Sequence, residues 1–261
     1  SNPNLQNIPV RTKIGKEIRK VFIAPNSESQ ILSADYSQIE LRLLALMSRD
    51  AVLLDAFQRD MDIHKQTAAQ IFGIPVEAVN SEQRRIAKTI NFGLMYGMGQ
   101  RKLSRELGIS LIEAKSMIAN YFSQFPSIKK YIADCVDRAR RTETASTLFG
   151  RTLRLPGINS KNPGISSEAE RVSVNMPIQG TAADIIKIAM LDIHAKIIDN
   201  PKLKLILQVH DELVFEVAQD YLETAKKLIS EAMENALPEQ FRALVELKTE
   251  IGFGKSWYDA H

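Results

Sequence analysis

The spacing of hydrophobic positions changes along the chain, and each spacing predicts an element. Two short apolar runs, within Ile18–Ala24 and Gln30–Ala34, predict strands, and the second run stops at Asp35. Apolar residues then recur at helical spacing through Ile39–Arg49. The helical pattern continues from Ala51 to Tyr131, interrupted by short turns that contain Gly or Pro. The first half therefore predicts two strands followed by a block of helices.

The second half of the chain returns to strand patterns. A long helix is predicted over Ser166–Asp199, with a bend at Pro177, whose ring cannot join the regular hydrogen-bond ladder. The other predicted elements are a helix over Ser127–Arg141, a hairpin within Ala145–Leu155, a hairpin of Leu203–Val209 and Leu213–Val217, a helix over Tyr221–Ala236 and a strand over Leu244–Ile251. This order favours the α+β class, in which a helical insertion interrupts an antiparallel sheet.

Composition excludes several classes of protein. The 261 residues are 44% hydrophobic and 25% charged, which is typical of a globular domain and excludes collagen, a disordered tail and a disulfide scaffold. The single cysteine, Cys135, excludes an internal disulfide, and the four histidines lack the spacing of zinc ligands. No apolar stretch approaches the roughly 18 residues of a membrane span, so no membrane partner is expected.

The charges are unevenly distributed, although the net charge is only +3. Residues 211–261 carry a net charge of −6, and the first 210 residues therefore carry +9. Between Gln83 and Arg105 there are six basic residues and no acidic residue. Such segregation is a moderate sign of a surface that binds polyanions, which makes nucleotide or nucleic-acid binding a candidate function.

Three acidic residues lie at predicted strand ends. Asp35 ends a buried strand, and Asp211 and Glu212 lie at a hairpin tip. Carboxylates in such places can point into a cleft, and a pair of them could hold the two Mg²⁺ ions of a phosphoryl-transfer site. The alternative is that acidic residues are simply favoured in turns. The sequence leaves open whether Asp35 and Asp211 meet.

A predicted helix over Gln83–Tyr96 carries a more specific pattern. Arg84, Lys88, Phe92 and Tyr96 recur every four residues and therefore share one face. Lys88 and Tyr96 would lie roughly 12 Å apart, about the distance from a triphosphate to its base. The cations could bind phosphates and the rings could stack on a base. The alternative is an amphipathic helix whose aromatic residues pack in the core.

A similar pattern occurs on the long helix. Arg171, Asn175 and Gln179 have the same four-residue spacing, and their side chains can donate to, or accept from, groove edges and phosphates of nucleic acid. A solvated helix face would have the same pattern, so both interpretations stay open.

Three segments in register resemble the motifs of the family A (DNA polymerase I-like) polymerases. Asp35–Arg42 (DYSQIELR) is similar to the first palm motif, Arg84–Gly97 (RRIAKTINFGLMYG) to the fingers motif and Gln208–Glu212 (QVHDE) to the third motif. Asn4–Arg11 (NLQNIPVR) and Gln179–Asp184 (QGTAAD) match as well. The resemblance runs from about Pro3 to the last residue.

The resemblance implies a right-hand polymerase architecture. Residues 1–50 and 161–261 would form the palm with its antiparallel sheet, and residues 51–160 would form the mostly helical fingers. By the same resemblance, the thumb and the early palm would lie upstream of the residues in this sequence. Because a thumb holds duplex DNA, we expect the chain to keep a nucleotide site but to bind DNA weakly and extend primers poorly.

The resemblance also implies a role for each motif residue at the metal site. Asp35 and Asp211, with the backbone carbonyl of Tyr36, would hold two Mg²⁺ ions, with Mn²⁺ as a substitute. Glu212 would support this catalytic site less directly.

The implied nucleotide-binding residues include both cations of the fingers helix. Arg84 and Lys88 would bind the triphosphate, and Lys88 would also donate a proton to the pyrophosphate. Phe92 would pack on the sugar, where Phe instead of Tyr suggests discrimination against dideoxynucleotides. The remaining implied nucleotide contacts are Tyr96 near the templating base, Glu40 against the ribose 2′ position, and Gln38.

The implied DNA contacts complete the picture. They are Arg171, Asn175, Gln179, His210, Asn4 and Gln6. The expected function is a monomeric, template-directed DNA polymerase of replication and repair. It would use primer–template DNA and dNTPs, in the bacterial cytoplasm or, alternatively, in an organelle. The alternatives are a nucleotide- and DNA-binding fragment without useful turnover, and a metal-dependent nuclease, which does not need the Arg84–Tyr96 ladder.

Overall fold

A computed structural model describes residue 8 and residues 13–261, so Asn4 and Gln6 lie outside the described residues. The helices are α1 (Lys13–Arg19), α2 (Ile39–Ser48), α3 (Ala51–Gln58), α4 (Ile63–Phe72), α5 (Ser81–Met95), α6 (Gln100–Leu107), α7 (Leu111–Gln124), α8 (Pro126–Thr142), α9 (Pro163–Ile197), α10 (Leu222–Glu234) and α11 (Glu239–Arg242). The strands are β1 (Ser29–Tyr36), β2 (Thr144–Ser146), β3 (Thr152–Arg154), β4 (Leu203–Val209), β5 (Glu212–Ala218) and β6 (Thr249–Gly254). The α+β prediction is confirmed.

The chain divides into two compact units. The sheet unit takes in the described residues up to Ile39, with Ala182–Arg242 and Leu247–His261. The helical unit takes in Glu40–Thr181 and Ala243–Glu246. The predicted palm and fingers boundaries, after residues 50 and 160, stay a prediction. In the described part of the chain, no helix is both long and apolar enough to cross a membrane.

The sheet unit is built around β1. The strand order is β4-β5-β1-β6, and every neighbouring pair is antiparallel. β1 lies between two strands, and its buried residues are Ile31, Leu32, Ser33, Ala34 and Tyr36. Trp257 packs with Ile31, Val209 and Val214 in one buried cluster. The hydroxyl of Tyr36 donates to the Met233 carbonyl at 2.7 Å, which links β1 to α10.

The helical unit begins and ends its helices with ordinary capping residues. Asp62 caps α4, and Asn80 with Gln83 forms a capping box at the start of α5. α4 and α5 pack against each other, since Ala68, Ala69 and Ala87 share a buried cluster. α5 therefore presents one face to the core of this unit and leaves the opposite face open.

Two predicted strands differ from the structure. The strand over Ile18–Ala24 is wrong, because this region holds the end of α1 and only an isolated bridge between Ile23 and Ser256. Val21 and Ile23 are mostly exposed, so the apolar run has no buried sheet face to join. The last strand begins at Thr249 instead of at Leu244, because Val245 and Leu247 are buried outside the sheet.

Candidate active site

The sheet topology brings Asp35 and Asp211 together. Asp35 lies near the end of β1, and Asp211 lies in the two-residue turn between β4 and β5. His210 takes a left-handed conformation in this turn, with φ 57°. The Tyr36 amide donates to the Asp211 carbonyl at 3.3 Å, and Asp35 lies opposite Glu212, the residue after Asp211, in the β1–β5 pair. The open question of whether these acids meet is therefore answered.

The surroundings of the Asp35 and Asp211 carboxyl groups disfavour the ionised form of both. Burial raises the pKa of Asp35 to about 7, with further contributions from the charges of Asp211 and Glu212. Burial also raises the pKa of Asp211. Asp35 Oδ1 is buried and has no hydrogen-bond partner among the described residues. Two crowded carboxylates with an unpartnered oxygen are suited to a hard divalent cation such as Mg²⁺.

The protein ligands for such a cation are few. Within the part of the chain that the structure describes, no group of three or more His, Cys, Asp or Glu side chains could hold a metal ion. Mg²⁺ is commonly bound by one or two carboxylates, with water and substrate phosphates completing its shell. The two carboxylates Asp35 and Asp211 are within that number.

Glu212 is held differently from the two aspartates. It is only 4% exposed, and its carboxylate accepts hydrogen bonds from Ser33 Oγ at 2.6 Å and Trp257 Nε1 at 2.5 Å. His261 Nδ1 and Arg19 Nη2 lie at 3.6 and 3.8 Å. Burial opposes the charge, but the bonds from His261, Ser33 and Trp257 hold the pKa of Glu212 below its usual range. Glu212 is therefore an anchored carboxylate.

The sequence analysis missed the four partners of Glu212. They come from α1, β1 and the segment after β6, and no motif spacing links them. Arg19 also stacks over the Trp257 ring, with its guanidinium carbon 4.0 Å from the ring centroid. A buried Arg and Trp near a carboxylate are recognised only once the strands are paired.

The Arg84–Tyr96 ladder lies on the face of α5 that the core does not use. Ala87, Ile90 and Leu94 are buried on the opposite face. Arg84, Phe92 and Tyr96 are half-buried, and Lys88 is exposed. The four side chains are therefore accessible, and the alternative in which both rings pack in the core does not describe this helix.

Neighbouring elements hold three members of the ladder. Arg84 Nε donates to Asp62 Oδ2 at 2.7 Å. The Phe92 ring lies 5.8 Å from the ring of His64, measured between centroids. The Tyr96 hydroxyl donates to the carboxylate of Glu40, so these two predicted nucleotide contacts meet.

His64 is a second residue that the sequence analysis missed, since it was considered only as a zinc ligand. It is buried on α4, and its Nδ1 lies 3.1 Å from Asn91 Nδ2. Burial, and then the charges of Arg84 and Lys88, lower the pKa of His64 to about 4. The neutral ring accepts the Asn91 amide at Nδ1 and therefore carries its proton on Nε2. The signal available in the sequence was the position of His64 two residues after Asp62, the residue that caps the start of α4.

The remaining predicted residues fall in three places. Arg171, Asn175 and Gln179 lie on one accessible face of α9 in the helical unit, and Asn175 Oδ1 is buried without a partner among the described residues. His210 is exposed in the sheet unit. Gln38, also in the sheet unit, has φ 55° and is half-buried.

Comparisons with known proteins agree with this arrangement. The family model for DNA polymerase family A matches residues 1–259. The chain is 46% identical to the thermostable DNA polymerase I of Thermus filiformis and 45% identical to DNA polymerase I of Bacillus subtilis, over its whole length. It covers 30% and 29% of those two relatives, so it spans less than a third of their length.

A solved structure of a polymerase domain is also similar to this chain. The polymerase domain of Pol1 from M. smegmatis, in complex with DNA primer-template and dNTP, has a TM-score of 0.92 and 42% identity. The match covers 99% of this chain and 45% of that one. The chain therefore belongs to DNA polymerase family A.

Proposed function

We propose that this chain is the catalytic portion of a template-directed DNA polymerase. It would join a deoxynucleotide to the 3′-hydroxyl of a primer and release pyrophosphate. The observation that carries the proposal is the half-buried pair Asp35 and Asp211, with an unpartnered carboxylate oxygen on Asp35, in a member of family A. The Arg84–Lys88 cations and the Phe92 and Tyr96 rings on the open face of α5 support it.

The metal-binding residues in this proposal are Asp35, Asp211 and the Tyr36 carbonyl. Two Mg²⁺ ions bound there, or Mn²⁺ in their place, would supply activation of the primer hydroxyl and neutralisation of phosphate charge. Glu212 is fixed by Ser33 and Trp257, so it would act by shaping the surroundings of the two aspartates.

Residues of the helical unit would bind the incoming nucleotide. Arg84 and Lys88 would bind the triphosphate, and Lys88 would protonate the pyrophosphate leaving group. Phe92 would pack on the sugar. Tyr96 and Glu40 are joined by a hydrogen bond, so they would together border the base and the ribose 2′ position. Gln38 of the sheet unit would also contact the nucleotide.

DNA would be bound by the second ladder and the hairpin turn. We assign Arg171, Asn175, Gln179 and His210 to primer–template contacts, with Asn4 and Gln6 as further candidates. The relative of known structure was solved with DNA primer-template and dNTP, and its 42% identity supports this assignment. We place the protein in the bacterial cytoplasm, since the relatives named above are bacterial, and we propose that it acts as a monomer.

The test is single-nucleotide extension of a primer–template with Mg²⁺ and the correct dNTP, at high protein and low salt. Wild type is compared with Asp211→Ala. The matched control is Asp220→Ala, which removes a carboxylate that pairs with Lys202 on the surface. We expect extension by wild type and Asp220→Ala and none by Asp211→Ala.

Other outcomes separate the alternatives. No extension by wild type, with dNTP still bound through Lys88, would indicate a binding fragment without turnover. Metal-dependent cleavage of DNA that survives Lys88→Ala would indicate a nuclease. Extension that survives Asp211→Ala would contradict the metal assignment.

A further inference from the structure

The carboxylate of Asp62 bridges two elements of the helical unit. One oxygen, Oδ1, caps α4 by accepting from the backbone amides of His64 at 3.0 Å and Lys65 at 3.1 Å. The other oxygen, Oδ2, accepts from Arg84 Nε of α5 at 2.7 Å. Asp62 therefore fixes the backbone position of His64 and the side chain of Arg84 at the same time.

The way Asp62 binds Arg84 leaves most of the guanidinium available. A guanidinium carries five N–H donors, one on Nε and four on the two Nη atoms. Asp62 engages Nε, and the described residues contain no further hydrogen-bond or ion-pair partner for the Arg84 side chain. The Arg84 side chain is 41% exposed, so an anion can reach it. Two Nη atoms in one plane form the fork that binds phosphate oxygens in pairs.

A neighbouring ion pair on the same helix shows what an ordinary surface pair looks like. Glu82 accepts from both Nε and Nη2 of Arg85, and both side chains are more than half exposed. That pair occupies Nε and one of the two Nη atoms of Arg85, within one turn of α5. The Asp62–Arg84 pair instead joins two helices and spares the fork.

We propose that Asp62 is a positioning residue that orients Arg84 for the triphosphate of the incoming nucleotide. The proposal rests on the function proposed above for Arg84 and adds a residue that none of the polymerase motifs in this sequence contains. Asp62 acts through Arg84 and does not itself contact the nucleotide. Because Asp62 is negatively charged, its charge alone would weaken triphosphate binding. Only its orientation of Arg84 would make Asp62 strengthen that binding.

Whether loss of the Asp62 charge weakens or strengthens triphosphate binding therefore decides between orientation of Arg84 and simple repulsion. Asp62→Asn keeps the cap of α4, because Asn is as good an N-cap as Asp, but it weakens the bond to Arg84. We expect its dissociation constant for Mg²⁺–dATP, measured by calorimetry at low salt, to rise about fivefold to tenfold. In primer extension, KM for dATP should rise by the same factor, while kcat changes less than about threefold.

Two further variants make the test specific. Glu82→Gln breaks the Arg85 pair on the same helix and should leave the dissociation constant unchanged. In an Arg84→Gln background, which should itself weaken binding, Asp62→Asn should have no further effect, because a positioning residue needs its partner.

Each remaining outcome has one meaning. Unchanged or tighter binding by Asp62→Asn overturns the proposal, and so does weaker binding that persists without Arg84. Failure of wild type to bind Mg²⁺–dATP, or normal binding by Arg84→Gln, overturns it as well. If wild type binds Mg²⁺–dATP normally but does not extend primers, only the proposed polymerase activity is contradicted. The role of Asp62 is then tested by the dissociation constants alone.

Discussion

The pair of Asp35 and Asp211 destabilises the metal-free fold. The pKa values of both are raised chiefly because both carboxyls lose water, and the charges of Asp211 and Glu212 add to this effect at Asp35. We expect Asp35→Asn to raise the melting temperature in EDTA by about 2–4 °C, equivalent to about 1 kcal/mol. Mg²⁺ should raise the melting temperature of wild type but not of this variant. An unchanged or lower melting temperature of Asp35→Asn in EDTA would contradict this account.

His64 should make stability depend on pH in a defined direction. Its pKa is about 4 in the folded protein and roughly 6.5 in an unfolded chain, so the unfolded chain binds more protons between these values. Stability is therefore fully present above about pH 6.5 and falls as the pH drops towards 4, by about 3 kcal/mol in total.

The measurement is the urea midpoint at pH 7 and pH 5. We expect His64→Asn, which keeps an acceptor for Asn91, to show a smaller drop than wild type. His194→Asn, at an exposed position on α9, serves as the control and should match wild type. A drop of equal size in all three proteins would exclude His64 as its source.

Among the helices and strands, the sequence predicted those that form because of residues close to one another in the chain. The hairpin around His210, the long helix α9 and the helices α5 and α10 are confirmed, because periodicity and turn residues act within a few positions. The strand over Ile18–Ala24 was wrong because pairing depends on a distant neighbour. The two neighbours of β1 are β5 and β6, which come from the end of the chain.

The end of α5 depends on Gly97. This residue has φ +72°, and a Cβ atom there would lie 2.9 Å from Arg171 Cγ. We expect Gly97→Ala to lower the free energy of unfolding by more than the roughly 1–2 kcal/mol of left-handed strain alone. Gly73→Ala is the matched control, because Gly73 has φ +65° and open space around it. Equal losses in urea denaturation would show that Arg171 accommodates the methyl group.

The candidate site was predictable only in part, for a reason that belongs to the whole molecule. Motifs identify side chains that contact a ligand, such as Asp35 and Lys88, because their spacing is local. They do not identify the residues that hold those side chains, such as Trp257 at Glu212 or Asp62 at Arg84. Such contacts arise from folding and have no required spacing in the sequence.

The two units should also differ in stability. Each has its own buried cluster, Trp257 with Val214 in the sheet unit and Ala139 with Leu155 in the helical unit. α9 enters both units, but Pro177, four residues before the boundary at Thr181, cannot donate to the helix ladder. Because each unit has its own buried cluster, we expect the two units to unfold in separate transitions.

Trp257 is the only tryptophan and is fully buried in the sheet unit, so its fluorescence reports on that unit. Gly252→Ala would place a Cβ atom 2.2 Å from the Ala260 carbonyl oxygen, a backbone contact that cannot relax easily. We expect this variant to lower the urea midpoint of fluorescence more than that of helical circular dichroism. Gly97→Ala should do the reverse, because Gly97 and Arg171 both belong to the helical unit. Equal shifts of both signals in both variants would instead mean that α9 transmits unfolding across Pro177 and joins the two units into one cooperative structure.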